Sequence, residues 1–343
     1  MRALIVGAGA VGRYMAARLR IGGHDVALLG RPGSVAELRA DGITLRVGVD
    51  EWPVSVAAAS DPTDASLREP FELAIVAVKS YSTGEAIESL RAVPGCREST
   101  ILTLQNGLGN EEALAGAFGA DRIAAGALTT AVERSGPATV TASDKGGLSF
   151  APVGSAPHNW LLAAMENTGV ETRAAGDWRG LKWSKLCINL LANGVCAALD
   201  WTPAQVYADK TAFDVERACL IEAVAVMRRL GIAPVGLVGF PVPVLVAAIR
   251  SLSATLLRAV LSRRVVTARG DKLPSLLLDL RARKKLTEVD DLNGAVVARA
   301  GEAGVVTPAN AAIARIVDGI ASGTIDWGVF RGKPQALAAA SIS

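Results

Sequence analysis

The chain has 343 residues, of which 50% are hydrophobic and 4% aromatic, with 36 basic against 33 acidic side chains and a formal net charge of +3. This length suffices for two domains with sizeable cores. The near balance of charge excludes nucleic acid as the expected partner. The Ala-, Val- and Leu-rich composition excludes a disordered chain and fits buried parallel strands with packed helices.

Cysteine and histidine usage argues against a metal site or a disulfide framework. Cys96, Cys187, Cys196 and Cys219 form no C-x-x-C pair and lie in apolar stretches, which predicts reduced core residues. Neither of the two histidines lies near a cysteine or an acid cluster, so we expect no metal. The longest uncharged stretch, residues 235–249, is broken by prolines and is shorter than the roughly 20 residues of a membrane helix. We therefore expect a cytoplasmic protein without a membrane partner.

The first residues form a motif that predicts a nucleotide site. The apolar run 3–6 predicts a strand buried on both faces, and Gly7, Gly9 and Gly12 follow with the spacing G-x-G-x-x-G. In dinucleotide-binding proteins the first glycine allows the tight turn, the second lets a pyrophosphate approach the backbone, and the third lets the next helix pack closely. A glycine-rich turn without a ligand is the alternative explanation.

The residues after the motif complete one βαβ unit. A helix is predicted over residues 13–21, Gly22-Gly23 ends it, and a second apolar run follows at 26–29. This takes about 30 residues, as such a unit requires. The free backbone N–H groups of the first helical turn would then face the phosphates.

Arg31, just after the second predicted strand, favours NADP(H). Enzymes that prefer NAD place Asp or Glu about 20 residues beyond the glycines, whereas a basic residue suits the 2′-phosphate of NADP. No acid stands beside Arg31. We expect NADP(H) as the cofactor, and the alternative is that Arg31 is a solvated loop charge.

Strand and helix patterns alternate through about residue 130, which predicts a doubly wound parallel sheet. The further predicted strands are 43–47, 53–57, 71–78, 100–104 and 123–130. The predicted helices between them are 34–40, 83–90 and 111–118. Segments 137–143 and 148–152 predict an antiparallel hairpin that closes this domain.

From residue 177 onward the hydrophobic period is helical throughout, which predicts an all-α second domain. The predicted helices are 181–199, 212–230, 244–261, 289–303 and 309–320. Thr202-Pro203 and Thr307-Pro308 are typical helix starts. We expect domains at 1–170 and 171–331, followed by a frayed tail at 332–343.

A polar stripe in the first of these helices predicts the chemistry. Lys185, Asn189 and Asn193 are spaced i, i+4, i+8, so they share one face that drifts by about 40° per step. The residues around them are apolar, which predicts a buried helix whose polar groups need partners. Hydride addition to a carbonyl carbon requires a proton donor and fixed hydrogen bonds at the oxygen, which a lysine and two amides can supply. Alternatively, the asparagines tie helices together and Lys185 reaches solvent.

Together these residues resemble the ketopantoate reductase (2-dehydropantoate 2-reductase) family. The resemblance is carried by Gly7-Ala-Gly-Ala-Val-Gly12, Val78-Lys79-Ser80, Gln105-Asn106-Gly107, Trp183-Ser-Lys185 with Asn189 and Asn193, and Thr287-Glu288-Val-Asp290 followed by Leu292-Asn293-Gly294. The resemblance implies an N-terminal Rossmann-type α/β domain and an all-α C-terminal domain like that of 6-phosphogluconate dehydrogenase.

The resemblance also implies which residues contact the cofactor. Arg31 would hold the 2′-phosphate, Lys79 would contact the cofactor from its strand end, and Asn106 would lie beside the nicotinamide. The residues assigned to NADP(H) in this way are Gly7, Ala8, Gly9, Ala10, Val11, Gly12, Arg31, Lys79, Asn106, Val132 and Glu288.

For the substrate, the resemblance implies that Lys185 is the catalytic proton donor. The substrate-binding residues would be Asn106, Asn189, Asn193 and Ser275. For Ser275 a helix N-cap, and for Glu288 a capping-box acid, are the alternatives. One departure concerns Pro203, which stands where some family members carry another substrate-binding asparagine.

The expected function is the NADPH-dependent reduction of ketopantoate to (R)-pantoate in pantothenate and coenzyme A biosynthesis. A related reductase of a different 2-keto acid and a non-catalytic NADP-binding sensor are the alternatives. The expected partner is a small-molecule 2-keto acid, and a homodimer is one assembly compatible with a helical second domain.

Overall fold

The computed structural model describes residues 1–266 and 273–341, which form two compact units. The first unit comprises Met1–Lys182 and Val235–Pro241, and the second comprises Trp183–Pro234 and Val242–Ser343. This division lies later in the chain than the predicted boundary at residue 170. It also adds a short segment of the later chain to the first unit.

The first unit contains the β-strands of the described chain, arranged in two sheets. The strands are β1 (Arg2–Val6), β2 (Asp25–Leu29), β3 (Ile43–Val47), β4 (Asp50–Val54), β5 (Ala57–Ala59), β6 (Leu73–Val76), β7 (Thr100–Thr103), β8 (Ile123–Leu128), β9 (Val132–Arg134), β10 (Thr139–Ala142), β11 (Leu148–Pro152) and β12 (Thr172–Ala174).

The larger sheet has the order β12-β11-β8-β7-β6-β1-β2-β5. From β8 to β5 all neighbours are parallel, whereas β11 is antiparallel to β8. The chain moves outward from β1 in both directions, so the strand order reverses between the neighbouring strands β1 and β6. Ligands of such sheets bind at the carboxyl ends of the strands beside this reversal.

β1 is buried on both faces, as its apolar run predicted. Ala3 and Ile5 enter one hydrophobic core, while Leu4 and Val6 enter a second core on the opposite face. This alternation follows from the two-residue period of a strand. The first unit is therefore a doubly wound Rossmann-type sheet, and the predicted fold class is confirmed.

The predicted hairpin between 137–143 and 148–152 is wrong. β10 pairs with β3 and β9 in the smaller sheet, of order β4-β3-β10-β9, whereas β11 joins β8 in the larger one. Both strands could be predicted from their alternation of apolar and polar residues. That alternation does not specify which strand each of them pairs with. Val140 on β10 is buried beside the first helix, and Phe150 on β11 is buried in the larger sheet.

Helices cover both faces of the sheet and form the second unit. In the described residues they are α1 (Ala10–Ile21), α2 (Pro32–Asp41), α3 (Thr83–Ala92), α4 (Asn110–Phe118), α5 (Trp160–Met165), α6 (Trp178–Leu190), α7 (Gly194–Leu199), α8 (Pro203–Ala208), α9 (Lys210–Arg229), α10 (Val242–Ser251), α11 (Ala254–Leu261), α12 (Ser275–Arg281), α13 (Ala295–Ala303), α14 (Pro308–Ser322) and α15 (Pro334–Ala340).

Two helices predicted as continuous are interrupted. The segment 181–199 divides into α6 and α7 because Ala192 adopts a left-handed conformation, with φ of 47°. The segment 244–261 divides into α10 and α11, where the Ser253 side chain accepts a hydrogen bond from Leu256 N. Serine at such a position favours a new helix start over continuation.

The predicted frayed tail is also wrong for the residues described. α15 packs against α9, and Leu337 is completely buried. Alternating small and apolar residues gave too weak a signal for this helix, whose stability comes from the core it covers. Residues 342 and 343 lie outside the described part of the chain.

Candidate active site

The glycine motif forms the turn from β1 into α1. Gly7 has φ of 114°, which favours glycine, and its backbone N donates to Leu29 O at 2.9 Å. A Cβ on Gly12 would lie 1.8 Å from Gly7 O, so helix and turn touch at this position. A Cβ on Gly9 would meet nothing within 4 Å, which leaves open space beside the loop.

α1 begins inside the motif, earlier than predicted. Gly9 is its N-cap residue, and the first turn contains no acidic side chain. The first N–H groups of a helix lack internal partners and carry a positive partial charge. The start of this helix can therefore accept a phosphate group, because no carboxylate of the first turn competes for its N–H groups.

Arg31 lies beside this turn in the topology of the sheet. It follows Gly30 at the carboxyl end of β2, and β2 is the parallel neighbour of β1. Arg31 is the N-cap residue of α2 and is exposed to solvent. A Cβ on Gly30 would approach Ala8 Cβ to 2.7 Å, so the two strand ends are in close contact.

Lys79 and Asn106 follow the next two strands of the parallel order. Lys79 comes after β6 and Asn106 after β7, and both are half-buried. The Asn106 backbone carbonyl accepts hydrogen bonds from Ser80 Oγ at 2.7 Å and from Asn110 Nδ2 at 3.0 Å. The loops after β6 and β7 are therefore joined at Asn106.

A buried ion pair, which sequence reasoning missed, lies behind this loop. Lys182 Nζ is 2.9 Å from Glu111 Oε1 and donates to the Gln105 backbone carbonyl at 2.5 Å. The side chains of Lys182 and Glu111 are 1% and 0% exposed. Burial raises the pKa of Glu111, and the Lys182 ammonium opposes that shift.

Arg13 is a second functional candidate that the sequence reasoning missed. Its side chain is completely buried, donates through Nε to Ala8 O at 2.9 Å, and pairs with Glu37 Oε2 at 2.6 Å. It therefore ties the glycine loop to α2, the helix that Arg31 caps. The sequence offers only its position directly after the third glycine as a signal, because its partner Glu37 is distant along the chain.

The predicted polar stripe starts on α6. Residues 180–199 are all described, and every one of them is buried except Lys185 and Asn189, which are half-buried. The two residues are one turn apart and share a face of the helix. The sequence predicted a wholly buried segment, and the structure differs from that prediction at Lys185 and Asn189.

Asn193 lies beyond the end of α6 and is 5% exposed. Its Nδ2 donates to Asn189 O at 3.1 Å, and its Oδ1 accepts from Leu276 N at 3.3 Å. The structure thus brings the end of α6 next to the start of α12, whose first residue is the exposed Ser275. Pro274 is the N-cap residue of α12, so the alternative role of Ser275 as N-cap is wrong.

Glu216 on α9 stabilises the break between α6 and α7. Its carboxylate accepts from Ala192 N at 2.9 Å and from the Tyr207 hydroxyl at 2.5 Å. These bonds compensate the left-handed conformation of Ala192. Sequence reasoning missed Glu216 because its partner is distant along the chain.

Two further assigned residues belong to different units, Val132 to the first and Glu288 to the second. Val132 begins β9 in the smaller sheet and packs on the core cluster that includes residues of β1 and α1. Glu288 is buried, 4% exposed, and precedes the π-helical turn Asp290–Gly294 in the second unit.

These observations fit a dinucleotide at the carboxyl edge of the larger sheet. The glycine turn leaves space at Gly9, the start of α1 offers unpaired N–H groups, and the exposed Arg31 follows the neighbouring strand. In the described residues no group of three or more His, Cys, Asp or Glu could hold a metal ion. No described helix has both the length and the apolar content to span a membrane.

A Rossmann-type sheet with a glycine-rich turn after its first strand, joined to a helical unit with a half-exposed lysine, defines the class of pyridine-nucleotide-dependent oxidoreductases. Two family models match most of the chain: "Ketopantoate reductase PanE/ApbA" over residues 3–155 and "Ketopantoate reductase PanE/ApbA C terminal" over residues 177–321. The chain belongs to the ketopantoate reductase PanE/ApbA family.

Individual relatives agree with the family models. A 2-dehydropantoate 2-reductase of Halobacterium salinarum is 29% identical over 326 residues, which cover 92% of this chain and 98% of the relative. The crystal structure of a PanE/ApbA family ketopantoate reductase from Ralstonia eutropha JMP134 has a TM-score of 0.79 at 27% identity, covering 94% and 99% of the two chains. The 2-dehydropantoate 2-reductase of Geobacter metallireducens GS-15 has a TM-score of 0.78 at 26% identity, covering 93% and 99%.

Proposed function

We propose that this protein reduces 2-dehydropantoate (ketopantoate) to (R)-pantoate with NADPH, a step of pantothenate and coenzyme A biosynthesis. The observation that carries the proposal is the pair Lys185 and Asn189, half-exposed on an otherwise buried helical segment, in a chain of this family. A protein that bound a dinucleotide without turnover would not require these groups on α6.

The proposed chemistry follows from what a ketone needs during reduction. When bound, the reduced nicotinamide supplies the hydride. Negative charge then develops on the carbonyl oxygen, where a positioned proton donor and hydrogen-bond donors lower the barrier. Lys185 Nζ donates the proton, the amides of Asn106, Asn189 and Asn193 bind the substrate's carbonyl and hydroxyl groups, and Ser275 binds its carboxylate.

The cofactor is NADP(H), held by residues from several strand ends. The six residues of the glycine motif (Gly7, Ala8, Gly9, Ala10, Val11 and Gly12) bind the pyrophosphate. Arg31 binds the 2′-phosphate, since a guanidinium pairs well with that group. Lys79, Asn106, Val132 and Glu288 complete the contacts. Exposure of Arg31 and the absence of an acid in the first turn of α1 support this assignment.

A reductase of a different 2-keto acid is the second candidate. It is favoured by Pro203, which begins α8 where some family members carry a substrate-binding asparagine. The proposed setting is the cytoplasm, and the proposed assembly is a homodimer.

The test is to mix the purified protein with NADPH and ketopantoate and to follow the absorbance of the reduced nicotinamide. We expect turnover, with a higher kcat/KM for ketopantoate than for pyruvate, 2-ketoisovalerate or phenylglyoxylate. A higher kcat/KM for one of the other acids would replace the proposal with the second candidate. Tight NADPH binding without turnover of any of them would instead indicate an NADP-binding sensor.

A further inference from the structure

The loop that carries Asn106 is held by charged and polar groups on both sides of that residue. On one side, the Gln105 backbone carbonyl accepts the bond from Lys182 Nζ. On the other side, the Asn106 carbonyl accepts from Ser80 Oγ and Asn110 Nδ2. Because both peptide groups that flank Asn106 are held, its backbone dihedral angles and the direction of its Cα–Cβ bond are held as well.

The side chains behind the loop form a buried chain of hydrogen bonds. Gln105 Nε2 donates to Thr83 Oγ1 at 2.8 Å, and Thr103 Oγ1 donates to Gln105 Oε1 at 3.1 Å. The Thr83 hydroxyl lies 2.7 Å from Asn110 Oδ1. Buried networks of this kind rigidify a region when their members are satisfied.

An ion pair is a costly way to hold a loop. Removing an ammonium and a carboxylate from water is expensive, and a well-packed apolar pair of similar volume is often no less stable. Stability alone therefore does not explain why Lys182 and Glu111 are buried as an ion pair. Lys182 also lies three residues before Lys185 along α6.

We propose that Lys182 is a positioning residue of the reductase reaction, which together with Ser80 and Asn110 holds Asn106 in one orientation. Glu111 neutralises the Lys182 ammonium, so that the ammonium can be buried against the Gln105 carbonyl. This inference rests on the proposed function, because it assumes that Asn106 lies beside the nicotinamide and the substrate. Lys182 itself contacts neither reactant in this proposal.

The test compares the wild type with the double variant Lys182→Met/Glu111→Met, which removes both buried charges together. If the loop is displaced by a fraction of an ångström, kcat/KM for ketopantoate falls on the order of 10- to 100-fold. Hydride transfer becomes slower, so the isotope effect on kcat with NADPH deuterated at the transferred position rises. NADPH affinity, measured by fluorescence titration, stays within about twofold because the glycine turn is intact.

Arg122→Met is the matched control. Arg122 donates to the Ser99 and Cys96 carbonyls before β7, at the opposite end of the strand that leads to Asn106. Its loss lowers the melting temperature without changing the isotope effect. Ser80→Ala is the second variant, which keeps the buried charges and is expected to raise the isotope effect in the same direction.

Wild-type kinetics and an unchanged isotope effect in the folded double variant would overturn the positioning role. Should the double variant not fold, an unchanged isotope effect in Ser80→Ala would overturn it instead. A wild-type protein without any reductase activity would refute the proposed function first, so the two failures are distinguishable.

Discussion

Arg13 and Glu37 form an ion pair whose two members differ in exposure. The Arg13 side chain is 0% exposed and the Glu37 side chain 34%. Arg134 Nη2 also approaches Glu37 Oε2, at 3.0 Å. The hydrogen bond from Arg13 is the main reason that the pKa of Glu37 is lowered from its ordinary value of 4.5, because it favours the charged carboxylate.

This shift predicts a pH-dependent contribution of Glu37 to stability. A carboxyl group whose pKa is lowered by folding stabilises the folded state above its unfolded pKa, and loses that contribution as the pH falls through the folded pKa. We expect Glu37→Gln to melt at a lower temperature than the wild type at neutral pH. The difference should shrink as the pH falls below 4.5.

Thermal melts of both proteins over a series of pH values measure this effect. Glu51→Gln, which removes a surface ion pair with Arg46, is the matched control and should show a smaller difference. A Glu37→Gln difference that stays constant with pH would mean that the carboxylate charge does not stabilise the fold.

Single residues differ in how far the sequence reveals them. Lys185 and Asn189 could be found because polar residues on an apolar helix are conspicuous and their spacing is local. Lys182 lies on the same face, three residues earlier, yet its partner Glu111 belongs to a different helix. Spacing along one helix contains no information about such a partner.

At the scale of elements, the βαβ unit is predictable because its signals are local. The apolar run, the glycines and Gly22-Gly23 fix β1, α1 and the turn that joins them. The start of α1 at Ala10 was missed because glycines are poor helix formers, although here they permit close packing against the turn. The break after α6 was missed because it depends on Glu216.

The prediction on cofactor choice concerns Arg31, between β2 and α2. Arg31→Asp removes a charge-assisted hydrogen bond to a phosphate and adds repulsion, so NADPH affinity should fall on the order of 10- to 100-fold. NADH affinity should change little or improve. Dissociation constants for both cofactors measure the change in preference.

Arg39→Asp is the control for this experiment. Arg39 is an exposed arginine in the last turn of the same helix, where it donates to Ala58 O. Arg39→Asp changes the net charge by the same amount as Arg31→Asp. Arg39, however, lies at the opposite end of α2. If Arg31→Asp and Arg39→Asp weakened NADPH equally, general electrostatics would account for the effect and Arg31 would not contact the 2′-phosphate.

At the scale of the whole molecule, the order of elements was predictable and the pairing of late strands was not. Alternating strands and helices with right-handed crossovers leave few arrangements for a parallel sheet. By contrast, β10 and β11 are joined by a short linker that resembles a hairpin turn, yet each joins a different sheet. Long-range pairing of this kind depends on which sheet edges the rest of the fold leaves open.

The central claim is that Lys185 supplies the proton for ketone reduction. The most direct measurement is the turnover of Lys185→Ala with NADPH and ketopantoate, together with a fluorescence titration of NADPH binding to the same variant. The account predicts a kcat lowered on the order of 100- to 10,000-fold with nearly unchanged NADPH affinity. A variant that reduces ketopantoate at a rate comparable to the wild type would contradict it.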